Sequence, residues 1–446
     1  MASLGRPRRR PGPERATGRG LVAVAVSATL VASTGLGLAT AAGGSQRAAG
    51  PSAVLTLRPP SAFVGQLVVA SVQRSSLPTG TTLKRLTINW GDGSRVASLA
   101  ALRSMPSHRY ARPGRFAITE TLVDGKGASS HARHVEVVAR SARVYWDLFN
   151  GAGAQYQLES AVLPLARHSA VTEVSGTAGN QLRCTAGMAV DAKGRLWVLS
   201  FPNGCSGSVS ATIQVFAGSI TQSTKPVLTL TLPGVGDDDN LALDHQGNLW
   251  VEDALNSHVS EYKGPFATST TLSPVQTLTT GISHPSGLAV DASGDVFVSN
   301  ETSSGTHSIA VFHAPVGIST VPTYLDGLTT PGGLIFDPSG DLYASSNPTS
   351  GKGSAIVRYN RNDLGNGATP SVVDRAGVGG IYGKPYEANF AWDALGNLYL
   401  ADCGNEASVK AYPLGTTPFS ARLAPSVVYT NPSLTSLGCA WGIAIR

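Results

Sequence analysis

Five times the chain repeats one short pattern: an apolar strand, Asp-x-x-Gly, and a second apolar strand. The five copies are "MAVDAKGRLWVLS", "LALDHQGNLWVED", "LAVDASGDVFVSN", "LIFDPSGDLYASS" and "FAWDALGNLYLAD". Their aspartates, Asp191, Asp244, Asp291, Asp337 and Asp393, lie 53, 47, 46 and 56 residues apart. A period near fifty belongs to a stack or ring of small sheets, because one such unit cannot bury its own apolar faces. Each turn has a mechanical reason. Glycine accepts the left-handed conformation a tight hairpin needs, and the Asp oxygen can take backbone N–H groups within the turn. The strands are apolar on both faces, as in "NLYLA", which a sheet needs when neighbours cover both sides. A third strand ends in an aromatic residue in every copy ("IQVF", "VSEY", "IAVF", "IVRY", "VKAY"), and a weaker fourth follows, as in "PVLTLTL".

The ends of this region complement each other. The chain stops at "WGIAIR", a first strand with nothing after it. The region opens at "SARVYWDLFN", which matches "KGRLWVLSFPN" without its first strand. Arg446 then takes the Asp position, Arg143 aligns with Arg195, and the last strand is expected to close a blade begun by residues 142–175. Five whole units and one split unit make six. "LYLADCGNEASVKAY" resembles the NHL repeat, and the other copies are looser versions. The resemblance implies a six-bladed β-propeller over residues 142–446, closed by the C-terminal strand so that no edge of the ring is free.

Residues 52–138 lack the repeat. Short alternating strands ("AVLTL", "QLVVASV", "RLTINW", "RFAITETLVD", "ARHVEVV") punctuated by turn residues read as a β-sandwich. "TINWGDGS" followed by "HRYARPGRFAITETLVDGKG" is similar to the PKD (polycystic-kidney-disease) domain, an immunoglobulin-like sandwich. On this reading Trp90, Tyr110 and Phe116 fill the core, Gly91-Asp92-Gly93 makes a tight turn, and His108 is structural. The fold class expected is all-β: a PKD-like sandwich, then the propeller. The resemblance implies a spacer or binding module with no chemistry of its own.

The N-terminus reads as an address. "RPRRRPGPERATGRG" is a charged segment, and "LVAVAVSATLVASTGLGLATAA" an apolar run. Residues 1–42 are therefore expected to be a signal peptide or an N-terminal membrane anchor, since Leu21–Ala42 is long enough to span a bilayer if uncleaved. This is the only membrane attachment expected. The formal charge of +6 belongs wholly to residues 1–50; residues 51–139 carry +7 and residues 140–446 carry −7. No basic stripe interleaved with aromatics points to nucleic acid. Four cysteines in an exported chain suggest two disulfides, with three connectivities open; placing the repeats on a ring favours Cys184–Cys205 and Cys403–Cys439.

In a ring of this kind the starts of the inner strands surround the channel. They offer Asp238, Asp239, Asn240, His284, Glu387, Asn389 and Trp441 as ligand-binding candidates. The ends of the second strands add Asp253, Asn300, Glu301, Asp402 and Glu406. Oxygen donors from several blades suit Ca²⁺ or another divalent cation, for which Asn240, Glu387 and Asn389 are the candidate ligands. His284 beside them has the chemistry of a base, and Trp441 that of a stacking surface for a sugar ring. Each also has a structural reading: "GDDDN" as a solvated acidic loop, Asp402 as a loop tie, His284 as a solvent-facing loop residue. Residue by residue, the pattern departs from the metal ligands of gluconolactonases and from the histidine of virginiamycin B lyases. The function expected is that of a secreted or surface-tethered binding or scaffold protein, its partner an extracellular glycan, a cell-wall polymer or a protein. The alternatives are a metal-dependent lyase or lactonase using Asp239, Asn240, His284, Glu387 and Asn389, and a purely structural envelope component.

Overall fold

The structure, a computed structural model, describes residues 50–446 except 151–154, 176–181, 203–209, 237–239, 301–307, 329, 347–354, 375–388, 403–407, 415–418, 421–422, 431–437 and 441. Among the described residues there is no α-helix; one 3₁₀ turn, Arg361–Asp363, interrupts an otherwise all-β chain. None of the described residues forms a helix long and apolar enough to cross a membrane, and the N-terminal apolar run lies outside them.

Two sheets come first. Thr56–Arg58, Leu67–Ser71 and Ser107–Arg109 form one. Ala62–Phe63, Ser129–Ala139, Gly114–Asp124, Leu83–Asn89 and Ala97–Ser98 form the other. Alternation along Gly114–Asp124 turns Phe116, Ile118 and Leu122 inward, where they meet Val68, Ala70, Leu86 and Ile88. Tyr110 stacks on Phe116 with centroids 4.4 Å apart, and its hydroxyl donates to the Trp90 carbonyl at 3.0 Å. His108 lies flat on Trp90 and bonds Asp92 Oδ2 at 2.7 Å. Burial alone would raise the Asp92 carboxyl; hydrogen bonds from Ser94 and His108 outweigh it and bring its pKa to about 2.

From Arg143 onward the described residues form six further sheets. In five of them the strands follow in sequence order: a first strand, a second, a third with an aromatic end, and a fourth. The first strands are Thr185–Val190, Leu241–Leu243, Pro285–Val290, Pro331–Phe336 and Phe390–Trp392. The remaining sheet holds Arg143–Asn150, Gln155–Val162 and Val171–Glu173, with Ile443–Ile445 antiparallel to the first of these. The register sets Ile443 against Trp146, Ala444 against Tyr145 and Ile445 against Val144. Arg143 and Arg446 exchange backbone hydrogen bonds at 2.8 and 2.9 Å. Buried Asp147 accepts the Gly442 N–H at 2.7 Å from 295 residues away. The Arg446 guanidinium donates at 2.7 Å to the carbonyl of Gly218, which follows the third strand of the neighbouring sheet.

First strands touch first strands in a cycle. Leu241–Leu243 meets Thr185–Val190 and Pro285–Val290; Pro331–Phe336 follows, then Phe390–Trp392, then Ile443–Ile445, which meets Thr185–Val190 again. Between the sheets lie separate apolar layers, such as Trp197, Ile213, Leu230 and Leu249 in one gap and Leu328, Leu342, Val357 and Tyr359 in another.

The turn geometry repeats with little change. Asp244 Oδ1 accepts from Gln246 and Asn248 N–H at 2.8 and 2.9 Å, and Gly247 sits at φ 83°. The other four aspartates each take the same two N–H groups, two and four residues on. Inner strands also approach closely. A Cβ built on Gly287 would stand 2.2 Å from the Gly332 carbonyl oxygen of the next first strand. Replacing Gly287 with Ala is therefore expected to cost roughly 1–3 kcal/mol through backbone displacement. A shift in denaturation midpoint checks this; a midpoint within error of the wild type counts against the tight approach.

Candidate functional site

Four residues before each turn Asp the chain has one equivalent position, in the first strand or immediately before it. It reads Gly187, Asn240, Gly287, Gly333, Asn389 and, by the same count from Arg446, Gly442. The glycines let neighbouring strands come together; a Cβ on Gly187 would lie 2.8 Å from Asn240 Cα, and one on Gly442 2.2 Å from the Ala186 carbonyl oxygen. The two asparagines stand three sheets apart in the cycle, so they face each other. Asn389 Nδ2 donates to Asn240 Oδ1 at 3.0 Å, linking residues 149 positions apart.

The bridge continues outward. Asn240 Nδ2 donates to Glu252 Oε1 at 3.0 Å and to the Ser286 carbonyl at 3.3 Å. Glu252 lies on the second strand, Leu249–Asp253, with no exposed surface, and its Oε2 has no hydrogen-bond partner among the described residues. Burial pushes its carboxyl up to about 8; the bonds from Asn240 hold it back, and the charge of Asp253 adds to the rise. Near pH 7 Glu252 therefore keeps its proton. The amide pair lines a channel of about 380 Å³ whose other lining side chains are apolar, with Leu243, Val290, Phe336, Trp392 and Ile445 contributed by five different strands.

The other residues singled out from the sequence serve the loops. Asp253 accepts Asn256 N and Nδ2 at 2.8 and 2.9 Å and the Gly236 N–H at 3.3 Å, fastening the segment that leads into a first strand. Asn300 does the same one sheet on, accepting from Ser283 N–H at 3.1 Å and donating to the Gly281 carbonyl at 2.8 Å. Asp402 pairs with buried Lys410; burial raises its carboxyl and the ammonium opposes the rise. His284 is exposed in a left-handed conformation (φ 41°), and its N–H donates to Ser257 Oγ at 3.2 Å. Cys184 is disulfide-bonded. Asp238, Asp239, Glu301, Glu387, Glu406, Trp441, Cys205 and Cys403 lie outside the described residues, as does the side chain of Cys439.

The structure thus brings Asn240 and Asn389 together and adds Glu252, which sequence reasoning passed over. The signal was available. At the fourth position of the second strands the chain has Leu199, Glu252, Ser299, Ser345 and Ala401, with Asp147 in the same register. A divalent ion held by Asn240 and Asn389 requires both amide oxygens to turn toward it. Here one oxygen accepts from the other amide's nitrogen, and the carboxyl behind them is protonated near neutral pH. The pair as arranged fits a hydrogen-bonded bridge better than a cation cage. Among the described residues no group of three His, Cys, Asp or Glu is placed to hold a metal ion.

These sheets make the chain a β-propeller-type all-β protein. The NHL repeat family matches residues 283–312, one full first, second and third strand. No curated protein matches the sequence. Among solved structures the chain is similar to a structural genomics protein of unknown function from Bacteroides thetaiotaomicron. That likeness has 11% identity and a TM-score of 0.42 over 88% of this chain and 92% of the other. It is similar to a catalytically inactive virginiamycin B lyase from Staphylococcus aureus with quinupristin, at 10% identity and a TM-score of 0.33 over 80% and 93%. It is similar to the PKD1 domain of Vibrio anguillarum Epp at 24% identity and a TM-score of 0.17, over 21% of this chain and 96% of that domain.

Proposed function

We propose that the chain is a secreted or surface-tethered binding protein. Residues 142–446 act as a six-bladed NHL-like propeller sealed by the C-terminal strand, and residues 52–138 as a PKD-like spacer. A leader or anchor in residues 1–42 delivers it outside the cell. Cys184–Cys205 and Cys403–Cys439 brace the face on which first strands begin, and that face receives an extracellular glycan, a cell-wall polymer or a protein.

The observation supporting this reading is the use made of the polar groups at the start of the first strands and the end of the second strands. Asn240 and Asn389 hold each other across the channel, Glu252 anchors them, and Asp253 and Asn300 fasten loops. These groups shape a mouth, and the hydrogen bonds they make hold it. Trp441, Glu387 and the "DDD" run at Asp237, which the repeat pattern assigns to the starts of first strands, then supply the recognition.

A glycan array and a sedimentation assay with cell-wall fractions test the proposal on the purified chain. The reading expects a ligand whose binding falls at least tenfold in Trp441→Ala at unchanged thermal stability. Stoichiometric divalent metal in the purified protein, lost in Asn240→Ala, would replace it with a metal-dependent enzyme. A folded chain that binds nothing in either assay would leave a structural component.

A further inference from the structure

The fourth strand of each sheet is its outer edge, and two of these edges are covered in one particular way. The crossover joining the third and fourth strands of the following sheet reaches back and adds a short parallel strand. On Leu228–Pro233, Thr270 and Thr271 pair with Leu230 and Thr231; Ser269 Oγ accepts the Thr229 N–H at 2.9 Å, and Leu272 N–H donates to the Thr231 carbonyl at 2.8 Å. On Thr323–Leu325, Ala368 pairs with Leu325. There Asn366 Oδ1 accepts the Tyr324 N–H at 3.0 Å, Gly367 N–H donates to the Tyr324 carbonyl, and Asp326 N–H to the Ala368 carbonyl, both at 2.7 Å. A side-chain oxygen meets the first outward N–H, and extended backbone follows.

The fifth sheet presents the same edge uncovered. Tyr429 pairs with Val409 as Leu230 pairs with Ile213 and Leu325 with Ile309, so Val428 matches Thr229 and Tyr324, and Thr430 matches Thr231 and Asp326. Val428 and Thr430 therefore carry the outward-facing N–H and C=O groups. Among the described residues no strand pairs with that side. The crossover that stands opposite, Leu163–Ala170, is the shortest of the six, and it folds on itself. Ser169 Oγ accepts the Ala166 N–H at 2.8 Å, and Ser169 N–H returns to the Ala166 carbonyl at 3.0 Å. What is left is a cleft of about 550 Å³ between Leu165 and Arg167 on one wall and Pro425, Val427, Val428 and Thr430 on the other.

We propose that this cleft is a strand-addition site for an extended, acidic segment of a partner protein, lying parallel to Val427–Thr430. Main-chain bonds to Val428 and Thr430 supply affinity, as in other cases of β-strand addition. Apolar side chains of the segment rest on exposed Val428. The charge preference comes from the rim: "LPLARHSA" and "PSVVYT" contain Arg167 and His168 and no carboxylate, and exposed Arg167 has no ion-pair partner among the described residues. In the two covered edges the chain fills this place with its own backbone; here its crossover is too short to do so.

The probe is a synthetic peptide copying Phe266–Ser273, the segment that covers the first edge, with Asp at both ends; a second peptide carries Lys there. Binding to the purified chain is read by fluorescence anisotropy up to millimolar peptide. The acidic peptide is expected to bind, and the basic one at least tenfold more weakly. Val428→Pro removes an outward N–H that the sheet itself does not use, so the variant is expected to fold normally and to lose binding at least tenfold. Arg167→Glu is expected to invert the charge preference. No binding of either peptide, or binding unchanged by Val428→Pro, overturns the proposal. So does a wild-type dimer that Val428→Pro converts to monomer, because a second copy then occupies the edge. The glycan and cell-wall assays concern a different face, and their outcome leaves this result unaffected.

Discussion

A chain ending at Gly442 is expected to lose its cooperative thermal transition and to associate at micromolar concentration. Ile443–Ile445 is short, but its removal uncovers Val144, Tyr145 and Trp146, all essentially buried, and the buried side chains of Ile443 and Ala444 vanish with it. A buried isoleucine alone is worth roughly 2–5 kcal/mol against truncation. Whole domains are stable by only about 5–15 kcal/mol. The strand Arg143–Asn150 would also become a long apolar edge, the kind that pairs with other chains. Removing Arg446 alone deletes its exchange of backbone bonds with Arg143 and its reach to Gly218, and is expected to lower the midpoint without abolishing the transition. Scanning calorimetry and light scattering separate the two outcomes. A truncated chain that melts like the wild type would remove the C-terminal strand from the account of stability.

The second large effect concerns Glu252. Its folded pKa, near 8, lies well above the ordinary carboxylate value of 4.5. The folded protein therefore holds a proton through a range in which the unfolded chain has released it. Stability from this group is complete below about pH 4.5 and falls as pH rises toward 8, at about 1.4 kcal/mol per unit. Between pH 5 and 8 the loss is roughly 4 kcal/mol. Glu252→Gln keeps an oxygen for Asn240 and has no proton to lose, so its stability should fall less steeply and should exceed the wild type's at pH 8. Glu136, in the first two sheets, is raised by burial to about 7 and contributes its own slope, which both proteins share. Denaturant titrations at pH 5, 6, 7 and 8 give the difference. Parallel slopes in the two proteins would mean that Glu252 ionises freely when folded.

Much of the architecture was legible because its causes are local. The Asp-x-x-Gly turn announces itself through one side chain and one glycine, and five of five copies carry the same two hydrogen bonds. The aromatic core of the first two sheets, Trp90, Tyr110 and Phe116, could be read for the same reason. The site was legible only in part. Asn240 and Asn389 could be picked as unusual, but their bond depends on which sheets face each other, a property of the whole cycle. Glu252 hid inside an apolar strand; only alignment of the six second strands isolates it. The short parallel covers at Thr270–Thr271 and Ala368 leave no periodic trace, since exposed two-residue pairings have no apolar pattern to follow. Glu387 and Trp441 lie in segments outside the described residues, so their place at the mouth rests on the sequence alone.

Amide hydrogen exchange of the intact chain, followed peptide by peptide, tests the ring most directly. If Ile443–Ile445 seals the cycle, the peptides covering 143–150 and 442–446 exchange slowly and open together, at the rate of the global transition. Fast exchange at 442–446 beside a protected 143–150 would contradict closure and, with it, the channel and the Asn240–Asn389 bridge.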